Sequence, residues 1–356
     1  MSIFVIAGGQ DDNIGDVVLR RRMLAALNDR VPRHIFVHRA SAGFREGLGL
    51  KPDDRIYDEY RTWLLACTWA ALTSKVLIAH NAGEVVGNRD IARRELSLLP
   101  ASLLARLRGG DVVRIGSGIR DATGRWMPVI RFLGRLDTTT LWRDEASRAF
   151  FGRGDVAPDW AFDDRLPHAL SGQTVPRRYL AVSMRSDRPA PTAAWFDAVR
   201  SVAATRGLEI VVVSQVRRDN ALGSELADRL GARQVRWEDA SHLEQERTVR
   251  EVYRQSALVV SDRLHALVIG LVEGAVPVGA IAWEDVKLAR HFGAAGIDGV
   301  SFDTRSLDAD RIVARIDGVA DRREEILRAG RRAAEAVAAI DRRLAARVEG
   351  AVQPAV

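Results

Sequence analysis

The sequence is short of cysteine, of aromatic residues and of long unbroken apolar runs. Its one cysteine, Cys67, rules out a disulfide framework within the chain and fits a reducing compartment. It sits in TWLLACTWAAL, an apolar helix-like run where a buried, inert thiol is expected. Aromatics make up only 6% of residues and show no stacking pattern, which argues against nucleic acid as a partner. No Cys/His cluster has zinc spacing and no H-E-x-x-H occurs, so no metal site is expected. The dinucleotide fingerprint G-x-G-x-x-G, the P-loop G-K-[ST] and the hydrolase elbow G-x-S-x-G are missing too. The longest apolar stretch, residues 266–283, carries Glu273 and Pro277 and reads as helix, turn, strand, so no transmembrane helix is expected. MSIFVIAGG has no charged leader before its apolar run and reads as a first strand, not a signal peptide. The expected location is the cytoplasm, with the inner face of a membrane left open.

What remains is a chain of 356 residues, 47% of them hydrophobic, long enough for two domains. Its 53 basic against 47 acidic residues leave a net charge of +6, which suits an anionic small substrate or an anionic membrane surface. Short β-type runs alternate with helical patterns. One series of strands is predicted at residues 3–7, 35–38, 76–79, 112–115 and 139–143. A second is predicted at 179–184, 208–213, 234–237, 258–261 and 276–281. Most are continuously apolar, as in parallel strands covered on both faces. The polar, periodicity-free stretch 163–178 is the expected linker. The chain is thus α/β, with two Rossmann-like lobes facing a cleft: residues 1–170 and 177–318. Residues 321–348 have an apolar stripe at Ile326, Ala333, Val337, Ile340 and Leu344, punctuated by arginine pairs. A C-terminal helix over 319–348, packed on the lobes, is expected. A membrane-surface role is the other reading of its basic face.

Five segments follow strand ends, where ligands bind in such sheets. In GGQDDNIGDVVL, Asn13, Gly15 and Asp16 open a helix, and Asp16 is either an N-cap or a contact to a substrate hydroxyl. In VVSDRLHALVIG, Asp262 is a plausible cap, and Arg263 and His265 fall in the first helical turn. Such a mouth attracts anions, the guanidinium fork matches carboxylate or phosphate, and a histidine held protonated there could donate a proton. A surface arginine and a capped histidine are the plainer alternative. Arg185 follows the first strand of the second lobe, and Lys287 follows the strand after the Arg263 helix. Glu84 and Asp90, in HNAGEVVGNRD, are candidate bases or members of a solvated loop.

Taken in order, these segments resemble the polysaccharide pyruvyl transferase family. NIGDVVL resembles its N-x-G-D start, and LWRDEASRAFF its arginine-plus-serine segment. APDWAF resembles its P-D-x-A-F, and VSMRSD the strand and arginine that open its second lobe. VVSDRLHALVIGLVEGAVPVGAI, with Lys287 beyond, is similar to its S-x-R-L-H and G-x-P-x-x-x-I pair. The likeness spans roughly residues 3–298. HNAG departs from the family's glycine triplet at Ala82 and Gly83, and the run from Gly274 to Pro277 holds one extra residue.

The resemblance implies a lobe arrangement similar to GT-B glycosyltransferases, and phosphoenolpyruvate as co-substrate with no cofactor. The acceptor would be two hydroxyls of a sugar in a surface polysaccharide or its lipid-linked precursor, giving a pyruvate ketal and phosphate. His265, Arg263 and Asp16 would be catalytic. Arg185, Arg263, His265 and Lys287 would bind the donor, and Asn13, Gly15, Asp16 and Glu84 the acceptor. A GT-B enzyme using a nucleotide sugar, with Glu284 or Asp285 on the ribose, is one alternative. A catalytically inactive scaffold in a glycan-assembly complex is another. Peripheral membrane contact and homo-oligomerisation stay open as partners.

Overall fold

A computed structural model describes residues 1–27, 31–163, 175–283 and 286–352. Glu284, Asp285 and residues 164–174 of the expected linker lie outside them. Contacts group the chain into two units. One comprises Met1–Asp11, Leu19–Trp160 and Ala336–Val356; the other comprises Asp12–Val18 and Ala161–Glu335. Residues 12–18, read from sequence as acceptor-side elements of the first lobe, therefore group with the second unit.

The first unit holds the strands β1 (Ser2–Ile6), β2 (Arg33–Phe36), β3 (Arg55–Tyr57), β4 (Val76–Ala79), β5 (Gly83–Val86), β6 (Asp111–Asp121), β7 (Thr139–Trp142) and β8 (Asp155–Val156). They form one sheet in the order β3-β2-β1-β4-β6-β7-β8, with β5 also paired to β6, and every pairing is parallel. Its helices are most of α1 (Ile14–Ala26), then α2 (Ala42–Gly47), α3 (Tyr60–Thr73), α4 (Arg89–Leu107), α5 (Met127–Leu133) and α6 (Glu145–Phe151).

The second unit repeats the plan. Its strands are β9 (Tyr179–Ser183), β10 (Glu209–Val213), β11 (Arg233–Val235), β12 (Ser256–Ser261), β13 (Val276–Ile281) and β14 (Ser301–Asp303), in the parallel order β11-β10-β9-β12-β13-β14. Its helices are α7 (Ala193–Thr205), α8 (Asn220–Leu230), α9 (His242–Arg254), α10 (Leu264–Val272), α11 (Lys287–Ala294) and α12 (Ala309–Ala320). Both strand orders are those of a doubly wound Rossmann sheet, in which the order reverses beside the first strand. That reversal places the exits of β9 and β12 side by side, where a ligand crevice forms.

The core explains the apolar runs. On one face of the first sheet, Phe4, Ile6, Phe36, Val76, Ile78 and Val112 pack under Trp63, Cys67 and Ala71 of α3 and Leu98, Ala101 and Ala105 of α4. Burial pushes the Cys67 thiol up to about 12, so it stays protonated, as expected for a packing residue. The stretch 266–283 resolves as α10, a turn and β13. Among the described residues no helix is long and apolar enough to cross a membrane. The last helix, α13 (Arg323–Val352), buries its whole expected stripe, Ile326, Ala333, Val337, Ile340 and Leu344.

Candidate functional site

In the second unit, β9 and β12 pair in register at Ser183 and Ser261. The Ser261 hydroxyl donates to the Ser183 carbonyl and accepts the Arg263 N–H at 2.9 Å. Two chain exits, one carrying Arg185 and the other Asp262, Arg263 and His265, are thereby tied together.

Asp262 completes the tie. Its Oδ1 accepts the Arg185 backbone N–H at 2.9 Å, and its Oδ2 has no hydrogen-bond partner. The residue is 3% exposed. Burial pushes its carboxyl up to about 7, although Arg263 and Arg185 both pull it down. The sequence made Asp262 a helix cap. The cap position is instead Arg263, in extended backbone geometry and with no side-chain cap bond, because the Asp262 carboxyl is turned back toward Arg185.

This carboxyl makes stability fall with pH. Between its ordinary 3.8 and about 7 the folded chain keeps a proton that the unfolded chain has lost, so each step up in pH favours unfolding, until the curve levels above about 7. Asp262→Asn retains an oxygen for the Arg185 N–H and removes the titration. Denaturation of both proteins between about pH 4 and 8 should show the variant gaining steadily on wild type, by a few kcal/mol at the alkaline end. A constant difference across that range would rule the assignment out.

Arg263 directs its Nε to Asp219 Oδ2 at 2.5 Å, and its Nη2 contacts the same oxygen. Asp219 is itself fixed: its Oδ1 accepts the Ser186 N–H at 3.0 Å and the Ser186 hydroxyl at 2.8 Å. Arg185 makes a bidentate pair with Asp187, at 2.8 and 2.7 Å. Asp187 is mostly exposed, and its hydrogen bond to Arg185 holds its carboxyl well below the usual carboxylate range. Two arginines therefore flank the strand exits, one locked to a buried carboxylate and the other paired to an exposed one.

His265 is the second residue of α10, half-buried. A Cβ built on Gly15 would lie 2.6 Å from both His265 Cβ and Nδ1. The N-x-G-D turn thus packs directly on the histidine, within one unit. The turn is anchored to the segment that follows β10. Asn13 bridges Val216, the Ile14 N–H donates to the Gln215 carbonyl at 3.4 Å, and the Arg217 N–H donates to the Asp12 carbonyl at 3.0 Å. Asn13, not Asp16, does the capping: its Oδ1 accepts the Gly15 N–H at 3.0 Å. Asp16 sits in the first turn of α1, where a carboxylate complements the helix dipole.

Lys287 opens α11, half-buried. Asp90 is exposed in the first turn of α4. Glu84 is not in a solvated loop but on β5, 3.1 Å from Arg120 Nε and 3.8 Å from Arg143 Nη2. The HNAG departure lies just before it, with Gly83 at φ 124°, a conformation that excludes side chains, and Ala82 buried. A cavity of about 60 Å³ opens there, lined among others by Arg20, Asn81, Glu84 and Arg94. The structure thus gathers Asn13, Gly15, Arg185, Arg263 and His265 in the second unit and sets Glu84 and Asp90 in the first. Asp219 escaped sequence reasoning; its only signal is a carboxylate just past an apolar strand, in VVVSQVRRD.

The family described as polysaccharide pyruvyl transferase matches residues 13–285. Compared with curated proteins, the sequence matches none. Among solved structures, the UDP-GlcNAc 2-epimerase from Neisseria meningitidis bound to UDP-GlcNAc is similar at 9% identity and TM-score 0.59, covering 98% of this chain and 100% of that one. HepE from Anabaena in complex with UDP and glucose is similar at 15% identity and TM-score 0.55, with 98% and 100% covered. A glycotransferase of kitacinnamycin is similar at 13% identity and TM-score 0.53, with 99% of each chain covered. At these identities the likeness concerns the fold, which is the GT-B class of two Rossmann-like units.

Proposed function

The chain belongs to the polysaccharide pyruvyl transferase family, and from that premise we propose that it moves the pyruvate carbons of phosphoenolpyruvate onto two hydroxyls of one sugar. The sugar would belong to a surface polysaccharide or its lipid-linked precursor, met at the cytoplasmic face of a membrane. The observation that carries this reading is the placement of Arg185, Arg263 and His265 at two adjoining strand exits, with the Gly15 turn seated on the imidazole.

The chemistry needs a proton on the donor's methylene carbon and a nucleophile on its neighbour. One sugar hydroxyl adds to that neighbouring carbon and gives up its proton. The C–O bond to phosphate breaks, phosphate leaving with a proton, and the second hydroxyl closes the ketal. The product is the sugar plus pyruvate less water, and the methylene has become a methyl. His265 supplies the proton as general acid. The two arginines act differently. Asp187 is exposed and can yield Arg185 to the donor's phosphate or carboxylate. Asp219 is buried and bonded to Ser186, so Arg263 stays in place and offers its remaining N–H groups as a fixed anchor. Lys287 is an auxiliary cation. Asp16 accepts a hydroxyl proton. Glu84, paired with Arg120, carries no step.

Incubation with phosphoenolpyruvate and a panel of glycosides, read by mass spectrometry, should show one acceptor gaining pyruvate less water, with phosphate released in equal amount. Absence of both across a broad panel counts against the reading. Nucleotide-sugar transfer is the rival, supported by the UDP ligands of the solved relatives in fold. Thermal stabilisation by UDP- or GDP-sugars, and none by phosphoenolpyruvate, would favour it.

A further inference from the structure

Six of the large apolar side chains most open to solvent among the described residues lie on just two helices: Leu65, Trp69 and Leu72 on α3, and Leu96, Leu103 and Leu107 on α4. Trp69 is 69% exposed and Leu107 82%. On α3 the spacing is four and three residues; on α4 it is seven and four. Each set is therefore a single stripe. The opposite faces are the buried ones. Trp63, Cys67 and Ala71 of α3 and Leu98, Ala101 and Ala105 of α4 share one cluster on one face of the first sheet, and the helices pack against each other. The two outward stripes consequently lie in one layer, side by side, as a contiguous apolar surface of the kind monomeric proteins rarely leave bare.

Around it cations outnumber carboxylates. The exposed cations are Arg61 on α3, Arg89, Arg93 and Arg106 on α4, and Lys75 and Arg108 just past the helix ends. The carboxylates on the two helices are Asp90, exposed in the first turn of α4, and Glu95, which is buried; at the start of α3 the exposed Glu59 is paired to Arg39. A leucine and tryptophan surface rimmed by arginine is the composition that enters an anionic lipid headgroup layer. A self-complementary contact with a second copy would set arginine against arginine. The apolar stripe of α13, the other basic helix, is already buried within the fold.

We propose that the outward face of α3 and α4 docks on an anionic membrane surface. Docking does not depend on the donor's identity, and its failure would leave the transfer reading standing.

The test is sedimentation of the full chain with phosphatidylcholine vesicles, with and without phosphatidylglycerol. Wild type should sediment with the anionic vesicles alone, and less so as salt rises. Leu65→Gln/Trp69→Gln/Leu103→Gln should abolish sedimentation with an unchanged melting temperature, because all three side chains are exposed. Arg61→Gln/Arg93→Gln/Arg106→Gln should weaken it, by roughly fivefold for each arginine. Wild type ignoring anionic vesicles would overturn the proposal, as would a leucine–tryptophan variant that binds like wild type. Light scattering provides a third arm. A wild-type dimer that the apolar variant converts to monomer, with no vesicle binding by either, would assign the surface to a second copy and likewise overturn it.

Discussion

Replacing His265 with alanine is expected to lower turnover by about 10²–10⁴-fold while leaving the fold and melting temperature nearly unchanged, the usual worth of a positioned general acid. The histidine is half-buried on the first turn of α10, so truncation removes the ring's contact with the Gly15 turn but no fully buried side chain. Gly15→Ala should come close to the same loss by another route. Its new Cβ would fall 2.6 Å from His265 Cβ, an atom fixed to the helix backbone that no ring rotation can withdraw. Either α10 or the start of α1 has to shift, at a cost of about 1–3 kcal/mol as in other overpacked sites. Steady-state kinetics with a ketal assay and a thermal melt distinguish the two variants: activity falls in both, stability mainly in Gly15→Ala. Near-normal turnover of His265→Ala would sink its role as the acid. Full activity of Gly15→Ala would show that the imidazole's placement does not matter.

The second large effect concerns stability in the first unit. Arg114, 2% exposed, donates from Nε to Asp137 Oδ2 at 2.8 Å and from Nη2 to both Glu95 oxygens at 3.1 and 3.0 Å. His80 lies against the same two carboxylates, 3.2 Å from Asp137 and 3.5 Å from Glu95. Burial alone would raise the Asp137 carboxyl, but Arg114 and His80 hold it down, at about 2, and Glu95 is lowered in the same way. Arg114→Ala leaves two buried carboxylates with one imidazole between them. The expected loss is about 3–5 kcal/mol at neutral pH, enough to unfold a marginal protein. In wild type these carboxylates stabilise the fold above their ordinary ionisation range, and that stability is lost as pH falls through their depressed folded values. In the variant there is nothing to lose. Urea unfolding of both proteins should therefore show a gap that is widest near pH 7 and narrows toward about pH 3. A gap independent of pH would mean that Arg114 matters for packing and not for charge.

Much of the fold could be read from the chain because most of the ten strands with a sequence signal are buried on both faces, and burial writes a continuous apolar run. The four strands that were missed are short, and each carries a charged residue: Arg55–Tyr57, Gly83–Val86, Asp155–Val156 and Ser301–Asp303. Missing Gly83–Val86 is what put Glu84 in a loop. In the site, Arg263 and His265 were visible because a strand end followed by a helix is a local pattern. Asp219 and the true role of Asp262 were not. Their partners, Ser186, Arg263 and the Arg185 backbone, are brought near by the strand order β10-β9-β12, which no local window contains. Residues 12–18 fail for the same reason: they open the first helix in sequence, yet their backbone bonds go to residues 215–217.

The contact of Gly15 with His265 also bears on how such a chain can evolve. Only a hydrogen fits between the helix start and the imidazole, so the glycine is under selection for as long as the histidine works. Once the histidine is gone, activity no longer selects for glycine at position 15, although a side chain there still has to displace the Cβ of residue 265. Among relatives, a side chain at the position of Gly15 should thus accompany loss of the imidazole at the position of His265. The pair would then separate working transferases from decayed copies before any assay is run.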